Sequence, residues 1–430
     1  MNKKINALIL GSGGREHAIA WHIAKSIKLG KLYVAPGNSG TIKIAQNIKI
    51  DINNYEKIRE IINKYDIRLL FIGPEEPLVN GLHDKLLDDT KINNLKIIGP
   101  QAKGAKLEGS KLFAKQFMEK YNIPTASYKS FTKKEAEQAK YYVTKIPPPF
   151  VIKADGLAAG KGVFICQSAK EGAEIIDKII IKSKFGNAGD TIVIESFLKG
   201  REMSVFILTD GQSYKILPTA KDYKQIGDGD VGLNTGGMGA VSPVSFVDKA
   251  LMQKVIKKII EPTLFGLNAE KIPYSGFIFF GLINVAGEPF VIEYNARLGD
   301  PETQTIIPRI NSDLLELFWA IDQPKVFEKT KLDISSKSSA TVILTSGGYP
   351  ESYKKGYNIS GLQQVKNAHV FHAGLQLKDN RLITNGGRVM AITTLKSSLK
   401  SAIETSYNNV QKIKFKDMYF RKDIGKDLIK

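Results

Sequence analysis

The stretch PFVIKADGLAAGKGVFI, residues 149–165, decides the fold. FVIKA and GVFIC have the β-branched and aromatic content of strands, and a loop of small residues joins them. A Walker loop needs four residues between its glycines, then Lys and Ser/Thr, and it opens a helix. Here three residues separate Gly156 from Gly160, Gly162 follows Lys161, and a strand comes next. The expected device is a hairpin whose backbone N–H groups lie over a chain of phosphates. Lys153 on the first strand and Lys161 in the loop add charge. A Lys–phosphate pair at about 4 Å gains about 4 kcal/mol at an effective dielectric near 20, before desolvation. A solvated hairpin with two surface lysines is the plainer alternative.

A second stretch, GEPFVIEYNARLGDPETQ at 287–304, sharpens the choice. Strand side chains alternate faces, so Glu293, Asn295 and Arg297 are expected on one face, and Phe290, Ile292 and Tyr294 on the other. A carboxylate and an amide oxygen two residues apart make an oxygen-only edge suited to Mg²⁺, which keeps waters and takes phosphate oxygens. Arg297 offers a fork for a carboxylate or phosphate.

The N-terminal ALILGSGGREHAIA, residues 7–20, has the outline of a dinucleotide site. The fingerprint G-x-G-x-x-G needs glycine at 16, where Glu16 stands, and Ala35-Pro36-Gly37 replaces the acidic residue expected at the second strand's end. NAD or FAD is therefore disfavoured. Gly11, Gly13 and Gly14 still offer N–H groups at a helix N-terminus for one phosphate, with Arg15 nearby.

Apolar runs ending in Gly or Pro (NALILG, KLYVAP, LLFIGP, LKIIGP) alternate with amphipathic segments such as YEKIREIINKY (55–65) over residues 1–103. That pattern predicts a Rossmann-like parallel α/β domain. Residues 104–325 carry the two motif stretches, with a lid expected over about 125–190. Short strands and a helix near 398–412 predict a smaller α+β domain over 328–430. The expected class is α/β, multidomain.

The chain has 430 residues and a formal net charge of +19. Its lysines are spread along the length and mixed with acids, without an Arg-rich tail, so anionic small substrates are expected rather than nucleic acid. The apolar runs are far shorter than the roughly 20 residues of a membrane span, and no secretory signal is expected. The single cysteine, Cys166, fits a reducing, cytoplasmic setting and a packing role.

VIKADGLAAGKGVFI, GDGDVGLNTGGMGAVSP and VIEYNARLGDPETQ resemble the signatures of the phosphoribosylamine–glycine ligases, an ATP-grasp family of purine synthesis; LGSGGREHA and YFRKDIG fit the same resemblance. It implies joining of phosphoribosylamine to glycine through glycyl phosphate, with ATP cleaved to ADP and phosphate, Mg²⁺ or Mn²⁺ as metal, and a monomer. By resemblance, Lys111, Lys153, Asp155, Gly156, Gly160, Lys161 and Gly162 meet the ATP phosphates. Glu195 and the backbone through Leu198 read adenine, and Glu202 holds the ribose. Glu293 and Asn295 hold the metal. Asp222 and Arg297 take glycine's ammonium and carboxylate, and Gly11, Gly13, Gly14 and Arg15 take the phosphate of phosphoribosylamine. Residues 221–238 resemble the family's substrate loop, in which Asn234, Gly236 and Gly237 are either contacts or loop-formers. Related sequences often have Asp-His-Lys-Arg where this one has Asp222-Tyr223-Lys224-Gln225, so Gln225 receives no role. A dinucleotide oxidoreductase, a biotin-dependent carboxylase component and a nucleotide-binding regulator are the rival readings.

Overall fold

The computed structural model describes residues 4–158 and 160–429; Ala159, in the middle of the expected phosphate loop, lies outside them. The first sheet contains β1 (Ile5–Gly11), β2 (Leu29–Pro36), β3 (Gln46–Asn47), β4 (Ile67–Ile72) and β5 (Lys96–Ile98), all parallel, in the order β3-β2-β1-β4-β5. The four apolar runs read from the sequence form four of these strands. They are apolar almost throughout because helices cover both faces. Leu8, Ile9 and Leu10 are wholly buried. The chain order reverses beside β1, so Gly11–Gly14 and Gly73–Pro74 meet at one crevice at the carboxyl ends of β1 and β4.

A four-stranded antiparallel sheet follows, built from β6 (Tyr128–Thr132), β7 (Phe150–Ala154), β8 (Val163–Cys166) and β9 (Thr191–Ser196), in the order β6-β9-β7-β8. β7 and β8 are the two arms of the decisive hairpin, paired from Phe150↔Cys166 to Lys153↔Val163. Cys166 is buried here, and burial raises its thiol pKa to about 12. β6 was hidden in the sequence because its alternation, YKSFT, is short and lysine-bearing.

The chain continues through β10 (Arg201–Thr209) and β11 (Tyr214–Ile216), then β12 (Lys221–Asp222), β13 (Gln225–Gly227), β14 (Val231–Asn234) and β15 (Gly239–Ser242). It returns along β16 (Gly276–Val285) and β17 (Glu288–Asn295). β11-β10-β16-β17 form the second antiparallel sheet. Its apolar face covers the helix Lys111–Lys120, whose Ala114, Phe117 and Met118 lie in the same buried cluster as Phe280, Val291 and Tyr294. Ser110 caps that helix and Asn122, at φ 54°, helps turn the chain out of it.

β17 departs from simple alternation. Gly281 pairs with Glu293 but Leu282 pairs with Val291, so Ile292 is the extra residue of a bulge. The core face therefore passes from Val291 to Tyr294, and Phe290 and Ile292 do not share it as alternation predicts. Glu293 and Asn295, both beyond the bulge, keep their common face.

The remaining strands are β18 (Ser338–Thr345), β19 (His369–His372), β20 (Leu375–Lys378), β21 (Arg381–Thr384) and β22 (Arg388–Lys396), and the helix Leu399–Val410 packs on them. The last large sheet runs β12-β15-β18-β22-β19, so strands from both sides of residue 325 share it. No helix among the described residues is long and apolar enough to cross a membrane.

Where β19 meets the helix Gly14–Ile23, three histidines gather, His17 and His372 buried and His369 half-buried. His17 Nδ1 accepts from His372 N–H at 2.9 Å, and the Trp21 and His369 rings lie 4.5 Å apart. Burial, with His372 nearby, lowers His17 to about pKa 3; burial lowers His369 and His372 to about 4, with Lys25 and Lys43 adding to it. These imidazoles are neutral when folded and bind protons more readily when unfolded, with a pKa near 6.5. Their contribution to stability is thus complete above pH 6.5 and falls as pH drops from there toward 4, by up to about 1.4 kcal/mol per pH unit for each histidine. Urea midpoints measured from pH 7.5 to 4.5 should show this decline, and His369→Asn should flatten it; an unchanged slope would remove His369 from the account.

Candidate active site

Lys153, near the end of β7, is buried; its Nζ lies 2.9 Å from Glu195 Oε1 and donates to Ile292 O at 3.1 Å. The β17 bulge turns that carbonyl toward it. Glu195 Oε1 receives no well-directed hydrogen bond, so its contact with Lys153 is chiefly electrostatic. Lys115 Nζ holds the other oxygen of Glu195 at 3.1 Å and donates to Thr125 Oγ1 at 2.8 Å. Burial pulls Lys115 down to about pKa 8, against the pull of Glu195. The Glu195 side chain is 4% exposed and committed to two lysines. Where the chain leaves β9, Phe197 is exposed and Leu198 half-buried.

The phosphate loop is tied down at its start. Asp155 accepts from Leu112 N–H at 2.7 Å and Ser110 Oγ at 3.0 Å, so its carboxylate anchors the loop to the N-terminus of the helix Lys111–Lys120. Gly156 N–H donates to Ala188 O at 3.1 Å, and a Cβ there would lie 2.8 Å from the Ala188 methyl. Gly156 therefore serves close packing, and its N–H is not offered to a phosphate. Lys111 Nζ donates to Gly156 O at 3.2 Å, while burial lowers its pKa against the pull of Glu293. Gly160 has φ +73°, a conformation suited to glycine, in the turn closed by Lys161 N–H on Ala158 O at 2.9 Å. Gly162 is buried, with its carbonyl taken by Ala154 N–H. The Lys161 side chain is exposed and makes no hydrogen bond or ion pair among the described residues.

Glu293 and Asn295 face this loop from β17. Burial would push the Glu293 carboxyl up, but Lys224, Lys153, Lys111 and Arg297 outweigh it and hold it below the usual carboxylate range. Neither residue's side chain bonds to a described residue. Their free oxygens fit a hard divalent cation. Among the described residues no cluster of three His, Cys, Asp or Glu could hold a metal ion. Phosphate oxygens and water must supply the other ligands.

Arg297 is more engaged than expected. Its Nε lies 3.2 Å from Glu75 and its Nη2 2.8 Å from Glu108, and Nη1 donates to Leu298 O at 3.3 Å. Burial raises Glu108 to about pKa 7 despite Arg297, whereas Arg297 and Arg15 overcome burial at Glu75 and hold it at about 2. Asp222 accepts from Lys224 Nζ at 2.9 Å, and Glu202 lies 3.4 Å from the same amine. Burial works against a charged Lys224, but Asp222, Glu202, Glu293 and Glu302 raise its pKa well above the ordinary value. Glu302 is 3% exposed, and burial with Asp222 pushes its carboxyl up to about 8.

At the crevice of the parallel sheet, a cavity of about 410 Å³ is lined by Gly11, Ser12, Gly13, Arg15, Pro74 and Asp300 among others. Gly14 is not part of its wall. Glu16 Oε2 accepts from Gly13 N–H at 2.7 Å, and its Oε1 meets Arg15 Nε at 2.5 Å. Arg15 N–H points to Asp300 at 3.4 Å. A carboxylate thus occupies part of the helix N-terminus that the sequence offers to a phosphate, and the Gly13 N–H and Arg15 charge are already partnered. Glu16 fits because Gly11 has no side chain: a Cβ there would lie 2.5 Å from Glu16 Cγ. The third-glycine position of the fingerprint has become an internal cap.

Models of phosphoribosylglycinamide synthetase match in three consecutive parts: the N domain over residues 5–108, the ATP-grasp (A) domain over 109–303 and the C domain over 339–427. The chain belongs to the phosphoribosylglycinamide synthetase family. A phosphoribosylamine–glycine ligase of Fusobacterium nucleatum is 44% identical over 98% of both chains, and one of Caldanaerobacter subterraneus is 42% identical over 98% of this chain and 99% of its own. The crystal structure of phosphoribosylamine–glycine ligase from Thermotoga maritima superposes with a TM-score of 0.86 at 34% identity, over 98% of this chain and all of that one. A biotin carboxylase domain from Hydrogenobacter thermophilus shares the fold, with a TM-score of 0.71 at 16% identity over 97% of this chain and 92% of its own. Family members couple ATP cleavage to ligation, so the chain is an ATP-grasp ligase.

Sequence reasoning overlooked Lys115, Lys224, Glu75, Glu108 and Glu302. Lys115 left a trace: it sits among Ala114, Phe117 and Met118 on the apolar stripe of its helix. Glu75 and Glu108 left none, because the partner that recruits them is more than 180 residues away. Removing one member of a buried ion group costs about 3–5 kcal/mol. Glu195→Ala should lower stability by that amount in urea unfolding. Glu195→Ala with Lys115→Met should recover much of it by removing an unpaired buried cation; no recovery would mean that Lys115 is not stabilised by Glu195.

Proposed function

We propose that the residues around Glu293 carry out the ATP-dependent joining of 5-phosphoribosylamine and glycine to give glycinamide ribonucleotide, ADP and phosphate. The observation that carries this reading is the gathering of Lys111, Lys153, Lys224 and Arg297 around Glu293, beside Asn295 and facing a hairpin of small residues. Those cations suit a polyanion, and the oxygen-only pair suits a divalent cation, here Mg²⁺ or Mn²⁺. When bound by Glu293, Asn295 and the phosphates, the cation supplies charge neutralisation at the transferring phosphoryl group.

The chain's own residues do the rest. Lys153, held in direction by Glu195 and Ile292 O, and Lys111 meet phosphate oxygens, and Lys161 with the backbone around Gly160 and Gly162 covers them. The backbone near Leu198 meets adenine and Glu202 the ribose. Arg297 exchanges Glu75, its longer contact, for the carboxylate of glycine and keeps Glu108; Asp222 takes the ammonium. The glycine carboxylate oxygen attacks the γ-phosphorus and the bond to ADP breaks. The phosphoribosylamine nitrogen then attacks the acyl carbon of glycyl phosphate, inorganic phosphate leaves, and the nitrogen loses a proton. Both steps depend on positioning and on exclusion of water, which the lid of about 125–190 provides. The cavity beside Gly11, Gly13 and Arg15 admits the 5′-phosphate end of phosphoribosylamine, with Gly14 contributing backbone at the same helix start.

We place the domain divisions at 1–103, 104–325 and 328–430, and read the protein as a cytoplasmic monomer acting on small molecules without nucleic-acid or membrane partners.

Purified protein with Mg-ATP, glycine and freshly generated phosphoribosylamine should release ADP only when both substrates are present. ADP release independent of either would overturn the reading. Glu293→Ala should reduce turnover by at least about 10³-fold, the scale of losing a principal electrostatic contribution, with an unchanged circular dichroism spectrum. An active variant would remove Glu293 from the metal site.

A further inference from the structure

The hairpin β13–β14 carries the outer half of the substrate loop, and little of it is self-supporting. Two strands of three and four residues are not independently stable. Val231 and Leu233 are 58% and 51% exposed, and Ile226 alone of its apolar side chains packs against the core of the last sheet. What else fixes it is the C-terminal segment 419–427, chiefly through polar contacts. Tyr419 Oη donates to Ile226 O at 2.8 Å, and Lys422 N–H donates to Asp228 at 2.7 Å. Gly229 N–H donates to Asp423 at 2.7 Å.

Arg421 is the centre of this contact. It is wholly buried, and its guanidinium spans three groups: Asp423 at 2.8 and 2.6 Å, Asp230 at 2.6 Å, and the Gln225 carbonyl at 3.1 Å. The same segment holds the start of the loop, because Tyr223 Oη and Lys221 Nζ both bond to Asp427. The loop's other side faces the site. Lys224 lies between these anchors, with its carbonyl taken by Thr235 N–H at 2.8 Å and its amine on Asp222.

We infer that Arg421, with Asp230 and Asp423, is a latch that positions Asp222 and Lys224 for glycine, so that the C-terminal segment sets the glycine affinity of a site it does not enter. Arg421 touches no substrate; it acts through the hairpin. The role in glycine binding rests on the assignment of Asp222 made above. ATP is held by the β7–β8 loop, Lys111, β9 and Glu202; the latch touches none of them and reaches Glu202 only through its 3.4 Å contact with Lys224. The latch therefore separates the two substrates kinetically, which a general support of the fold would not.

Asp230→Asn tests this without emptying the core, since the Asp230 side chain is 56% exposed. Arg421→Lys keeps the charge but loses the fork, and Arg421→Ala leaves a guanidinium-sized gap. KM for glycine should rise about tenfold or more in Asp230→Asn and Arg421→Lys, with KM for ATP within about twofold of the parent. Hydrogen exchange should quicken about tenfold or more at the amides of 225–234, with that of β1 and β4 unchanged. Added guanidinium should restore the glycine KM of Arg421→Ala. Unchanged glycine KM in both Asp230→Asn and Arg421→Lys, or a parallel rise in the glycine and ATP constants, would overturn the latch. If the parent protein forms no ADP dependent on glycine, the functional reading above fails. The exchange measurement still decides the latch in that case, unchanged protection at 225–234 overturning it.

Discussion

Crowding of like charge is the constraint on which the structure turns. Lys111, Lys153, Lys224 and Arg297 surround one carboxylate, Glu293. An uncompensated cation in such a setting costs several kcal/mol. The chain answers with a private counter-charge for most of them: Glu195 for Lys153, Asp222 for Lys224, Glu75 and Glu108 for Arg297. Lys111 has backbone carbonyls instead. The cations stand where a polyanion is expected, yet are bearable without it. This also explains why several residues that look like ligands in the sequence have side chains directed at other side chains.

Each sheet contributes one part of that arrangement at the end of a strand. β7 and β9 deliver Lys153 and Glu195 in neighbouring registers, so that their side chains meet inside one sheet. β17 delivers Glu293 and Asn295, and its bulge turns the Ile292 carbonyl onto Lys153. The parallel sheet adds Glu75 from beyond β4 and the crevice at Gly11. The last sheet carries β12, so Asp222 is held by strands that lie far along the chain. Because loops at strand ends are set by rigid strands behind them, small shifts at the site are resisted by whole sheets.

Much of this was readable in the residues. The strands of the first sheet, the hairpin with Lys153 and Lys161, and the Glu293–Asn295 pair all followed from local pattern. Alternation, glycine spacing and residue chemistry act over a few positions, so one chain shows them. The bulge at Ile292 did not follow, because one extra residue in a strand is defined only by its partner. Glu16 was recognised as a misfit for a dinucleotide site, but its role as a cap on Gly13 required the helix to be placed.

The sequence by itself determined the architecture, the family and the chemical class of the site: long motifs of glycine, lysine and carboxylate dictate a phosphate hairpin and an oxygen-rich strand edge. Only the tertiary structure decided which charges are free to act. Asp155 and Glu195 carry the chemistry of ligands in the sequence, yet their side chains hold other parts of the protein in place. Lys115, Glu108 and Arg421 gain their importance from partners brought near by folding. The reason is physical. A residue's type fixes which interactions it can make, whereas burial and the nearest opposite charge fix which one it does make, and both are properties of the folded chain.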